Sequence, residues 1–235
     1  MLSYRYYSRP GFTLLEGIIA LTVIIVGLVA GITLAVVNIG SAQNNERRIV
    51  AANLAREGIE AMRNSRDSNW LKVDLNKSYV SDAGGGQQLY AWDSFLADEG
   101  SWSSAGNKVL AVQYVPPAGL AQPAYTFFAI TSASSCPSGN YLQCCINAGG
   151  NECQVNYDAA TSLYGTASGA ATGYQRIITI QDICYDDPNN TESVQAVSNG
   201  CATDRVGVVV TSQVRYPVGR STQDVIARER LYNWR

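Results

Sequence analysis

The stretch that decides the fold is SRPGFTLLEGIIALTVIIVGLVAGITLAVV, Ser8 to Val37. From Gly17 to Val37 it is uncharged and mostly aliphatic. At about 1.5 Å per residue, about 21 residues of helix cover the roughly 30 Å hydrocarbon core of a bilayer. One carboxylate, Glu16, stands at the head of this run. A carboxylate within a span costs about 2.5–3.5 kcal/mol on insertion scales, so it asks for a role beyond anchoring. Arg5 and Arg9 precede the run, which keeps the N-terminus cytoplasmic and sends the remainder outward.

Composition narrows the rest. The chain has 235 residues, enough for one good-sized domain beyond the membrane segment. It contains no histidine, which excludes a histidine general base, a Ser-His-Asp triad and any metal site that needs imidazole. A formal net charge of −2 offers no basic stripe for nucleic acid. Six cysteines lie beyond residue 135, in a region rich in small polar residues. Their even count suggests disulfides and an oxidising compartment, on the side of the span that the charge rule sends outward.

Two plain readings of the apolar run are a cleaved secretory signal, with Gly40-Ser41-Ala42 as its processing site, and a simple single-span anchor. The run is longer than the roughly 7–15 residues of a signal-peptide core, and neither reading gives Glu16 a purpose. The hexapeptide GFTLLE, Gly11 to Glu16, does. A short basic leader, glycine, phenylalanine, three uncharged residues, glutamate and a long apolar helix together resemble the N-terminal signal of type IV pilins and the pseudopilins of type II secretion and competence systems. The likeness covers about the first 60 residues.

The resemblance implies that a membrane prepilin peptidase cuts between Gly11 and Phe12 and that the new Phe12 amine is N-methylated. Glu16 is then the assembly carboxylate. Inside a bundle of apolar helices it pairs with the Phe12 amine of a neighbouring subunit, because each charge would otherwise be costly there. The implied function is a structural subunit, a minor pilin, of a type IV pilus-like filament. The alternatives are a pseudopilin of a secretion or DNA-uptake system, or a pilin-anchored adhesin whose Cys136–Cys153 lobe makes the contact. The implied partners are other pilin subunits, the peptidase, an inner-membrane assembly platform and the membrane before assembly. Localisation runs from a single-pass inner-membrane protein to a cell-surface or periplasmic filament. No cofactor is implied. An enzyme is disfavoured, since the chain also lacks a G-x-S-x-G or Walker signature.

The helical pattern continues past the span. Ala51, Leu54, Ala55, Gly58, Ile59 and Met62 form one stripe, with charges elsewhere, so the spacing predicts a single helix from Phe12 to about Arg66. NLAREGIEAMRNSRDSNWL, Asn53 to Leu71, resembles the same stretch of minor-pilin-like sequences. Gly27 and Gly31 make a GxxxG step where many pilins carry a proline, and Thr33 can bond back to a carbonyl. The predicted layout is a leader (1–11), a transmembrane and polymerisation helix (12–39), an amphipathic helix (40–66) and a β-rich extracytoplasmic head (67–235).

Within the head, SYVSDAGGGQQ (Ser78 to Gln88) reads as a loop and YAWDSFLADEGSW (Tyr90 to Trp102) as the place for a short helix. KVLAVQYV and AYTFFAIT read as strands, YGTASGAATGY (Tyr164 to Tyr174) as a linker. QRIITIQDI, RVGVVVTSQVRY and QDVIARERLYNWR form a closing antiparallel meander. In the middle one Val206, Val208, Val210, Val214 and Tyr216 share a face on which Ser212 is the only polar member. The meander covers the helix stripe, giving an α+β, disulfide-stapled fold. Its end also resembles the C-terminal sheet of minor pilins.

Cys184 and Cys201 flank a long loop that a bridge would staple. Adjacent Cys144 and Cys145 rarely bridge each other. Two connectivities remain: 136–144 with 145–153, or 136–145 with 144–153. A four-thiolate metal site lacks its C-x2-C knuckle. Asp186 and Asp187, in DICYDDPNNTE, are weak calcium candidates whose spacing does not match an EF-hand.

Overall fold

The computed structural model describes residues 11, 13–75, 78–80, 87–89, 108–115, 124–130, 140–147, 152–159, 163–165, 169–197, 201–202 and 204–233. In chain order its elements are α1 (Leu14–Asp74), β1 (Ser78–Val80), β2 (Gln87–Leu89), β3 (Val109–Val115), β4 (Ala124–Ala129), α2 (Tyr141–Asn147), β5 (Gln154–Asp158), β6 (Leu163–Gly165), β7 (Ala170–Asp186), β8 (Thr191–Val194), β9 (Asp204–Val218) and β10 (Ser221–Tyr232). The chain divides into two compact units, residues 1–46 and 47–235.

Helix α1 is one unbroken element of 61 residues. Its described start at Leu14 leaves Phe12 outside the described residues, and it runs to Asp74 rather than stopping near Arg66. The extension has a local cause. Asp67 to Asp74 contains neither proline nor glycine, and Arg66 and Asn69 are buried, so side-chain packing continues through the expected end. Thr22 and Thr33 sit mid-helix without breaking it. Their hydroxyls donate to carbonyls one turn back, Thr22 to Ile18 and Ile19 and Thr33 to Val29, each at 2.8 Å.

The head is built on an antiparallel sheet of order β10-β9-β7-β3-β4. Strand β7 is its spine. Along one edge it pairs with β9, from Gln175↔Arg215 to Tyr185↔Asp204, and along the other with β5, β3 and β8 in turn. Both faces are buried. On one, Ile59 and Met62 of α1 pack against Leu110, Val112, Ile178, Ile180, Val208 and Val210, and Ala51, Leu54 and Ala55 against Val155, Tyr174, Val214 and Tyr216. On the other, Val109, Ala111 and Ile177 meet Leu142 and Cys145 of α2. The alternation along β3 is the period-two signature of a strand covered on both sides.

Where α1 crosses the sheet, a glycine meets a serine. A Cβ added at Gly58 would stand 2.6 Å from Ser212 Oγ and 3.3 Å from Ile178 Cδ1. Serine at 212 therefore sits in the valine face because the helix passes close there. Its buried Oγ has no hydrogen-bond partner among the described residues, which fits a residue placed there for size rather than polarity.

Two segments differ from their sequence reading. The Tyr164–Tyr174 linker is largely strand: β6 includes Tyr164 and Gly165, and β7 begins at Ala170. Gly169 (φ 109°) and Gly173 (φ 79°) supply backbone that side chains disfavour. Ala170 and Ala171 pair with Tyr157 and Asn156 across a register shift in β5. The Ser78–Gln88 loop closes on itself through β1 and β2, with Ser78 opposite Leu89. The expected helix in Tyr90–Trp102 lies outside the described residues. The last part of the chain behaves as read: β9 and β10 form a hairpin through Gly219 (φ 59°) and Arg220, a turn with glycine first.

Replacing Gly58 with valine lowers head stability by about 1–3 kcal/mol, through overpacking against Ser212 and Ile178. Ser212→Ala alone is close to neutral. The Gly58→Ala penalty shrinks in the Ser212→Ala background. Denaturant unfolding of the oxidised chain in detergent measures all three, and an additive cycle would show that the two residues do not set the approach.

Candidate functional site

The candidate site is the head of α1. Gly11 is exposed, with nothing within 4 Å of a Cβ added to it. Thr13 caps the helix. Its carbonyl accepts the N–H groups of Glu16 (3.0 Å) and Gly17 (3.2 Å), and its Oγ1 accepts the Glu16 N–H at 3.4 Å. Thr13-Leu-Leu-Glu16 is thus half of a capping box, a signal readable as T-x-x-E before an apolar run. A carboxylate in the first turn also faces the positive end of the helix dipole. Neither interaction consumes its charge: Glu16 is exposed and makes no ion pair among the described residues.

Beyond Glu16 the surface is apolar on every side. Leu15, Ile18, Ile19, Leu21, Val23, Ile24, Ile25, Val26, Leu28 and Val29 are each more than half exposed, and Ile32, Leu34, Val36, Val37 and Ile39 continue the series. This helix is long and apolar enough to cross a membrane. Gly17, Gly27 and Gly31 have open space where a Cβ would be, so the GxxxG step leaves a shallow notch.

The second half of α1 is held by charge as well as by apolar contact. Arg176 of β7, almost fully buried, donates to the Leu54 carbonyl and to Glu57 Oε2 through Nη1, and to the Val112 carbonyl through Nη2, each at 3.1 Å. It ties the helix to two strands at once. Burial pushes its pKa down, and the Glu57 carboxylate opposes that push. Arg63 extends to Glu229 of β10 and to Glu60, both at 2.6 Å. Further along the sheet, Lys108 Nζ donates to Asp182 Oδ2 at 2.6 Å, with both side chains buried. Arg205 Nη1 lies 3.7 Å from Asp182 Oδ1, an ion pair beyond hydrogen-bonding reach.

The cysteines staple two places. Cys184, near the end of β7, is bonded to Cys201, and Cys145 of α2 is bonded to Cys153 before β5. The second bridge excludes the 136–145 with 144–153 pairing. Cys144 is also disulfide-bonded, and Cys136 lies outside the described residues. The Cys184–Cys201 loop is not featureless, since β8 folds back on β7 through a turn at Asp187–Asn190. Asp186 accepts from Asn189 Nδ2 at 2.6 Å in that turn, and Asn190 adopts a φ of 48°. Among the described residues no three His, Cys, Asp or Glu side chains group as candidate metal ligands. Sequence reasoning missed Arg176 and the Lys108–Asp182 pair, which join residues distant in the chain and leave no local pattern.

Comparison of the chain with protein-family models, with characterised proteins and with solved structures finds no match.

Replacing Cys184 and Cys201 with serine together lowers head stability by about 3 kcal/mol, the loop-closure value for a ring of this size. A non-reducing peptide map of the native chain joins Cys145 to Cys153. A peptide joining Cys144 to Cys153 would contradict this arrangement.

Proposed function

We propose that this chain is a structural subunit, a minor pilin, of a type IV pilus-like filament. The observation that carries the proposal is Glu16: a lone carboxylate, without an ion pair among the described residues, in the first turn of the apolar half of α1 and four residues after Phe12. In this reading the precursor is held in the inner membrane by residues 12–39, with its leader in the cytoplasm. The prepilin peptidase removes residues 1–11 and the Phe12 amine is methylated. The assembly platform then draws the helix out of the bilayer and into a bundle of like helices.

Bilayer and bundle are both apolar, so the transfer alters the surroundings of the aliphatic side chains little. It alters those of Glu16 greatly. In the bundle Glu16 meets the cationic amine of a neighbour's Phe12, and each charge removes the other's desolvation cost. The pair also sets axial register, because a one-turn slip leaves both charges buried and alone. The disulfide-stapled head then forms the filament surface.

Glu16→Ala separates insertion from assembly. The peptidase acts five residues earlier, and the head folds without residue 16, so cleavage and disulfide formation proceed. Stranding one partner of a buried pair costs about 3–5 kcal/mol, or two to four orders of magnitude in the assembly equilibrium. In a strain where this subunit dominates or initiates assembly, immunoblots of sheared fibres and membranes find the variant processed and membrane-held. Wild-type amounts of the variant in fibres would reduce Glu16 to a helix-capping residue.

A further inference from the structure

The head carries opposite charge at the two ends of its sheet. At one end, Arg47 and Arg48 stand one turn ahead of Ala51 on the sheet-facing stripe of α1. Arg47 Nη1 donates to the Pro217 carbonyl at 3.1 Å, which places the β9–β10 turn and its exposed Arg220 beside the helix. Arg48 and Arg220 are exposed and make no ion pair or side-chain hydrogen bond among the described residues. Glu46, also exposed, is the preceding residue, about 200° around the helix from Arg48. Asp224, the nearest carboxylate on β10, is taken by Arg215 (2.7 Å) and Gln213 (2.8 Å). Its pKa is held down chiefly by the Arg215 hydrogen bond. This end is left cationic.

The other end of β9 is the reverse. Asp204 opens the strand opposite Tyr185, and Asp186 and Asp187 lead into the β7–β8 turn. Asp187 and Asp204 are exposed and have no side-chain partner among the described residues. Among the described residues the cations in this neighbourhood are already engaged, Arg205 with the buried Asp182 and Arg230 with Glu192 at 3.9 Å. With 15 residues in β9, the two ends lie about 45 Å apart.

We propose that the cationic end (Arg47, Arg48, Arg220) docks on the anionic end (Asp186, Asp187, Asp204) of a second copy of this chain, so that heads stack end to end. The inference rests on the filament reading and specifies its head contact. Arg48 and Arg220 at one end and Asp187 and Asp204 at the other make no ion pair among the described residues, and opposite patches draw partners together and fix their orientation. Because the two ends differ, the contact is head-to-tail, the kind that repeats into an open filament when successive rotations do not close a ring. It is an exposed electrostatic contact, so it weakens as salt shortens the screening length.

The test is a charge exchange in full-length chains made in a strain where this subunit dominates assembly. R48E/R220E alone and D187R/D204R alone each lower the sheared-fibre fraction about tenfold, since both place like charges in contact. Making the two variants together restores fibres, because each variant's altered end then meets its complement. Both variants are processed and retain the Cys145–Cys153 and Cys184–Cys201 bridges, so loss reflects assembly. If both enter fibres at wild-type levels, or the mixture fails to restore them while wild-type fibres form, the stacking contact is wrong and the filament reading survives. If only R48E/R220E loses fibres, the cationic end binds something other than this acidic end, and the proposal is equally overturned. If the wild-type chain itself never enters fibres, the filament reading falls and the contact with it.

Discussion

Everything in this molecule is arranged around apolar surface that its own head does not cover. From Leu14 to Ile39 the aliphatic side chains of α1 are more than half exposed, on all sides of the helix. Burying one such side chain is worth about 1.5–3 kcal/mol, so the run as a whole amounts to tens of kcal/mol. A helix apolar all round belongs in a bilayer or in a bundle of similar helices. Against that background Glu16 is the one group that distinguishes the two environments. Lipid gives it no counter-charge, whereas the proposed bundle of processed N-termini would.

The second half of the same helix solves a different problem. It must serve as a core element, and it does so with small residues as much as large ones. Ala51, Ala55, Gly58 and Ala61 let the sheet approach, with Ser212 accommodating the closest point. Arg176 then bonds to the Leu54 carbonyl and Glu57 on the helix and to Val112 on β3. A buried guanidinium is costly unless its donors are used, so this latch penalises any sliding of helix over sheet. The head is thereby registered to the second half of the helix.

Much of this was legible in the chain. The span, Glu16, the stripe from Ala51 to Met62 and the strands of the closing meander all carry strong periodic signals, and α1, β3, β4, β7, β9 and β10 follow them. The misses have physical reasons. Strands β5, β6 and β8 are short, and they owe their conformation to pairing, β5 and β8 with β7 and β6 with β5, rather than to their own residues. The start of β7 is masked by Gly169, Ala170, Ala171 and Gly173, which read as a linker until a neighbour hydrogen-bonds to them. Helix α2 has seven residues, and it rests on Leu142, Cys145 and a bridge to Cys153. At the site, Thr13 was readable as a cap from its spacing to Glu16. Arg176 was not, because its partners lie more than sixty residues away.

The central claim is that residues 1–11 are a leader removed in front of Phe12 and that the apolar helix behind it is kept. The intact mass and N-terminal peptide of the mature protein, isolated from the cell that makes it, test this most directly. The account predicts a chain beginning at Phe12 and carrying one N-methyl group, with Glu16 retained. A chain beginning at Gln43 would mean that the apolar run is a discarded secretion signal and would contradict the account.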